Sequence, residues 1–109
     1  MLKFLKDDKD FAAFRTSKSF QNRFLKIRVR YALNQNIPRF GFIIPKKVMP
    51  KVVDRNKVKR RIKSILVQSM SKVKGADVIF YPQKGLLKQD FQTLTHDVHE
   101  LFTKARLWK

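Results

Sequence analysis

The sequence predicts an α+β fold in which helices pack on a small mixed sheet, on three observations. Residues 23–33 alternate apolar and polar side chains with a period of two. Residues 58–73 repeat apolar side chains at steps of three and four. The elements read in the order helix, strands, helix, strand, helix, with no internal repeat or low-complexity linker, so residues 1–109 are expected to form one domain.

Asp8 or Asp10 can cap a short helix reaching about Arg15, with Phe11 and Phe14 three apart on one side. In the strand at 23–33, Leu25, Ile27, Val29, Tyr31 and Leu33 alternate with Phe24, Lys26, Arg28, Arg30 and Ala32. A shorter, weakly patterned strand has room upstream of Arg23. Residues 34–38 read as a turn, and residues 40–44 as a second strand stopped by Pro45, expected to pair antiparallel with the first. A basic loop then runs from Pro45 to Val53.

Asp54 is the expected cap of a central helix from about Arg55 to Lys72, whose apolar stripe is Val58, Ile62, Ile65, Leu66, Met70 and Val73, with Gly75 ending it. Residues 77–81 form a mostly apolar strand closed by Pro82, so that strand, central helix and strand make a crossover unit. After a loop containing Gly85, a last helix opens at Asp90 with the stripe Phe91, Leu94, Val98, Leu101, Phe102 and Ala105, followed by a basic tail through Trp108 and Lys109. Phe42, Phe80, Phe91 and Phe102 are expected in the core.

Composition narrows the function. With 109 residues and 43% hydrophobic content the chain can bury a modest core, while 26 Lys and Arg against 8 Asp and Glu give a formal charge of +18 that a polyanion would relieve. There is no cysteine, hence no disulfide or thiolate chemistry. No apolar run approaches the roughly 18 residues of a membrane span or resembles a secretory signal, and a cytoplasmic location is expected.

The charge is concentrated. Residues 46–63 hold nine Lys or Arg (Lys46, Lys47, Lys51, Arg55, Lys57, Lys59, Arg60, Arg61 and Lys63) against one acid, Asp54, and no Asp or Glu occurs between Arg55 and Lys74. A helix that is merely solvated normally interleaves acids four residues away, so these cations are expected to meet an external partner. Lys26, Arg28 and Arg30 would form either a simply solvated sheet face or a second binding strip beside that helix, and Phe11, Phe14, Phe20 and Phe24 are divided between core packing, the commoner role, and stacking on unpaired bases. His96 and His99 fall on the polar side of the last helix, without a third ligand, and read as solvated. Asp8 or Asp10, Asp54 and Asp90 read as caps. With no catalytic residue and no metal site in prospect, the sequence describes a binder.

Lys46-Lys47-Val48 followed by Val52-Val53-Asp54-Arg55-Asn56-Lys57-Val58-Lys59-Arg60-Arg61-Ile62-Lys63 resembles the signature of the bacterial ribonuclease P protein component. The likeness extends over nearly the whole chain, including Asp10-Phe11 and Gly41. It implies an α-β-β-β-α-β-α fold with a left-handed crossover, and a ribonucleoprotein that removes the 5′ leader of precursor tRNA, with the RNA subunit and its Mg²⁺ performing the hydrolysis. It further implies that Arg55, Asn56, Lys57, Lys59, Arg60 and Lys63 contact the catalytic RNA or lie near substrate, and that a cleft between this helix and the sheet receives the leader. Phe11 matches the family's cleft aromatic, with Lys26, Arg28 and Arg30 as candidates for the sheet side. Arg15 stands where a second cleft aromatic is frequent, so that either Phe14 substitutes for it or leader stacking is weaker in this chain, an alternative the sequence leaves open. Lys57 and Lys63 stand where arginine is common, keeping charge without the bidentate fork, and Pro45 replaces a usual small or hydroxyl residue. The expected partners are the catalytic RNA and precursor tRNA, one protein per RNA, with no membrane and no other protein. The competing readings are a ribosomal protein or general RNA chaperone, a self-sufficient nuclease and a membrane-active polycation.

Overall fold

A computed structural model describes residues 3–5, 17–31 and 35–109. The helix expected at residues 8–15 lies outside them. The strands are β1 (Lys3–Phe4), β2 (Lys18–Gln21), β3 (Leu25–Tyr31), β4 (Arg39–Phe42) and β5 (Ala76–Pro82), and the helices are α1 (Val52–Ser69) and α2 (Phe91–Lys104). One five-stranded sheet has the order β1-β4-β5-β3-β2. β2–β3 and β3–β5 pair antiparallel, whereas β4–β5 and β1–β4 are parallel, which makes the sheet mixed as expected.

The expected antiparallel pairing of residues 23–33 with 40–44 does not occur, because β5 inserts between β3 and β4. β5 is the strand fit for the centre, since six of its seven residues are buried, including the adjacent Val78, Ile79 and Phe80 that face opposite sides. β4 and β5 are parallel, so the chain must cross over between them, and α1 provides that connection.

The alternation in β3 holds: Leu25, Ile27 and Val29 are buried, and Lys26, Arg28 and Arg30 are half-buried on the other face. The first set joins Phe40, Val78 and Phe80 in one core with Val58, Ile62, Ile65 and Leu66 of α1 and Leu94, Val98, Leu101 and Phe102 of α2. Both helices therefore cover the same side of the sheet. On the opposite side Leu5 and Ile79, with Ile43 and Tyr81, form a separate small cluster.

Several boundaries differ from the sequence reading. α1 opens a turn earlier, with Lys51 as its extended N-cap and no side-chain cap, and Asp54 sits inside the first turn, where its charge still complements the helix dipole. After Ser69 a 3-10 turn continues through Lys72. Gly75 lies beyond the helix and serves a close approach: a Cβ there would stand 1.6 Å from the backbone oxygen of Gln35. Asp90 does cap α2, its Oδ1 accepting the Thr93 N–H at 2.7 Å. Phe91, expected in the core, is 40% exposed at the first helical position.

The tail is packed against the body of the protein. Trp108 bridges to Val73, stacks edge-on against Phe102 and His99, and donates its indole N–H to Thr103 Oγ1 at 2.9 Å. His99, read as solvated, is half-buried there with Nε2 3.3 Å from Ser69 Oγ, while His96 is exposed as expected.

Candidate nucleic-acid interface

Burying Val58, Ile62, Ile65 and Leu66 fixes the roll of α1 and leaves its cations on the remaining arc. Asn56, Lys59, Arg60 and Lys63, at spacings of three and four, line an open recess of about 460 Å³ with Val53. Among the described residues no acid pairs with any of them. Lys63 also holds its ammonium 4.8 Å over the Phe4 ring, which ties the recess to β1.

The other cations of this segment take different positions. Arg55 folds back to donate to the carbonyls of Met49 and Pro50 at 2.8 and 3.0 Å, and so fastens the preceding loop to the helix. Arg61 reaches the Gln89 carbonyl at 3.4 Å. Lys57 and Lys51 are exposed. Lys46 and Lys47 are exposed in a turn closed by the Pro45 carbonyl, which accepts from the amides of Val48 and Met49 at 3.0 and 3.1 Å.

Lys26, Arg28 and Arg30 lie together on β3, on the face away from the helices. The space between α1 and the sheet is filled by core side chains, so the groove expected there is closed and the β3 strip forms a second, separate surface. Its members are unequal. Arg30 donates to Asp77 Oδ2 at 2.9 Å, while Arg39 grips both Asp77 oxygens at 2.8 Å and Gln35 adds a bond at 3.0 Å. Burial by itself would raise the Asp77 carboxyl, but the hydrogen bonds from Arg39 and Gln35, the Arg39 charge and the Arg30 bond outweigh it and hold the group below the usual carboxylate range. Arg30 is therefore already paired. Lys26 lies 5.6 Å over the Tyr81 ring, and Arg28 carries a buried Nε–H with no hydrogen-bond partner among the described residues. Phe11, Phe14 and Arg15, the other expected cleft residues, lie outside the described residues.

Two features escaped the sequence reading. Asp77 is the hub of an ion-pair cluster, and the signal was a single acid inside an apolar strand; its partner Arg30 is opposite only in the observed register. Tyr81 and Phe4 each carry a lysine, which nothing in their local sequence marks. Among the described residues no group of three His, Asp or Glu side chains could hold a metal ion, and no helix is long and apolar enough to cross a membrane.

Fold and surface together define a class: a basic α+β protein that presents, on one side of its sheet, a cationic helix whose only acid is Asp54 in the first turn, and a partly paired cationic strip on the other. Within that class the chain belongs to the ribonuclease P protein family, which it matches over residues 2–106. It is similar to the ribonuclease P protein component of Streptococcus thermophilus, with 30% identity over 108 residues covering 96% of this chain and 94% of the relative. The solved RNase P protein of Thermotoga maritima is 26% identical with a TM-score of 0.81, covering 94% of this chain and 96% of that one. That of Staphylococcus aureus is 19% identical and shares the fold throughout, with a TM-score of 0.88 and full coverage of both chains.

Proposed function

We propose that this chain is the protein subunit of ribonuclease P, that it docks on the catalytic RNA through α1, and that the β3 face receives the 5′ leader of precursor tRNA. Membership of the family ties it to an endoribonuclease of tRNA maturation. The observation that carries the docking role is the recess of Asn56, Lys59, Arg60 and Lys63, whose charges have no acidic partner among the described residues. Such a row neutralises successive phosphates and releases their counterions. Arg28, half-buried on the β3 face and without an acidic partner among the described residues, supports a phosphate contact on the leader side through its guanidinium charge.

The RNA subunit and its Mg²⁺ supply the hydrolysis in this reading. The protein's part is to bind, orient and screen phosphate repulsion between leader and RNA, as one protein per RNA in the cytoplasm without another protein partner. The test is reconstituted cleavage of precursor tRNA at low Mg²⁺, with and without the pure protein. Stimulation of cleavage is expected, and its absence overturns the reading. Equal binding of leader-bearing and mature tRNA would assign the chain to general RNA chaperoning instead.

A further inference from the structure

A third cationic surface lies at the opposite end of the sheet from the start of α1. Lys18 at the head of β2, Tyr31 at the end of β3, Gln35, Lys74 and Gly75 before β5, and Ala105 and Arg106 after α2 line a recess of about 500 Å³. That volume lies within the range of small-molecule sites. Lys18, Lys74 and Arg106 converge there from three segments, and none pairs with an acid among the described residues. Tyr31 is 47% exposed and held still, because its hydroxyl donates to the Ala105 carbonyl at 2.6 Å.

Arg106 marks the recess independently. α2 ends in a Schellman motif: the Leu107 N–H donates to the Phe102 carbonyl at 2.9 Å and the Arg106 N–H to that of Thr103 at 3.1 Å. The residue that turns left-handed in this motif is usually glycine, yet here it is Arg106 at φ 56, and no other non-glycine residue among those described has positive φ. An arginine whose backbone stands in the left-handed region, beside two lysines and a fixed aromatic ring, has the character of a ligand-holding residue.

We propose that this recess binds one nucleotide of RNA, with the phosphate held by Arg106, Lys74 and Lys18 and the base stacked on Tyr31. A nucleotide needs cations for its phosphate and an aromatic face for its base, and the recess sets the two side by side. The site goes beyond the docking role of α1 and requires only that the chain meet RNA.

The test is a titration of the full-length, isotopically labelled chain with adenosine 5′-monophosphate and, separately, inorganic phosphate at near-physiological salt, read by amide NMR shifts. The amides of Lys74, Gly75 and Arg106 are expected to shift saturably, with the nucleotide about tenfold tighter than phosphate because the ring stacks. Arg106→Gly is expected to weaken nucleotide binding by at least about tenfold and to raise the melting temperature by about 4 °C as the strain is removed. Arg106→Lys retains most of the binding. Shifts confined to residues 55–63, equal affinity for phosphate and nucleotide, or an Arg106→Gly chain that binds normally would each overturn the site. A lower melting temperature in that variant would make Arg106 a helix-end stabiliser and overturn the strain argument.

The source of the nucleotide is read in the holoenzyme. The chain has no cysteine, so Lys104→Cys and Lys57→Cys each accept one photo-crosslinker. A crosslink from position 104 to the RNA subunit or to precursor tRNA supports the site and names its source. No crosslink from 104 while 57 reacts overturns the site and leaves the docking role of α1 standing.

Discussion

Arg39 grips the buried carboxylate of Asp77 with two parallel bonds, Nε to Oδ1 and Nη2 to Oδ2, both at 2.8 Å. The pair links β4 to β5 across a parallel register in which the two residues are opposite, and Arg30 links β3 to the same carboxylate. One acid thus fastens three adjacent strands.

Asp77→Asn is expected to destabilise the fold by about 2–3 kcal/mol, since it leaves two arginines facing a neutral group; their partial exposure keeps the cost at the low end for a buried pair. The pH dependence follows from the depressed pKa. The unfolded chain holds its Asp77 proton to a higher pH than the folded chain, so this stabilisation is complete above the unfolded value of about 3.9 and is lost as pH falls through the lower folded value. Denaturant unfolding at neutral pH and at successively more acid pH checks both points, because the variant lacks this component of the acid-induced loss.

Lys59→Gln with Arg60→Gln should weaken binding to the ribonuclease P RNA and reduce the magnitude of the salt slope by about 1.5, near 0.7–0.9 for each phosphate no longer neutralised. Thermal stability should hold or improve, because both side chains stand off the core and add to a large positive charge. An unchanged slope would remove these residues from the interface.

Arg28→Met retains a long stem and removes the buried, unpartnered Nε–H. Stability is expected to change by less than about 1 kcal/mol. If Arg28 contacts the leader, affinity for precursor tRNA falls about tenfold while affinity for mature tRNA is unaffected. Competition binding between the two tRNAs reads the difference.

Gly75→Ala places a methyl group 1.6 Å from the Gln35 backbone oxygen, so one of two backbones must move. A loss of about 3 kcal/mol is expected, measured by denaturant unfolding. A loss below about 1 kcal/mol would mean that the segment around Gln35 yields easily.

The features legible in the sequence are those written in local periods. The alternation of Leu25, Ile27 and Val29 and the stripe of Val58, Ile62, Ile65 and Leu66 each declare an element and its buried side within a few residues. The cation row of α1 follows from the second pattern. Pairing order is not local: nothing near Phe40 or Ile27 says that residues 76–82 will come between them. The same holds for Asp77, whose meaning depends on Arg30 and Arg39 arriving in register, and for Trp108, which reads as a tail until Val73 is placed beside it. Asp54 resembles a cap because capping acids and first-turn acids obey the same electrostatics, and only the Lys51 backbone decides between them.

The central place of β5 has a kinetic consequence. Synthesis delivers β2–β3, then β4, then the charged helix, and only afterwards the strand to which both β3 and β4 must bond. Until residues 76–82 emerge, the earlier strands offer open edges to each other and to the surroundings, and the cations of α1 stand on a chain without a closed sheet. Completion of the sheet waits for a distant partner, a topology that folds slowly compared with local hairpins. A nascent chain halted before β5 would thus be the species most exposed to premature capture by RNA.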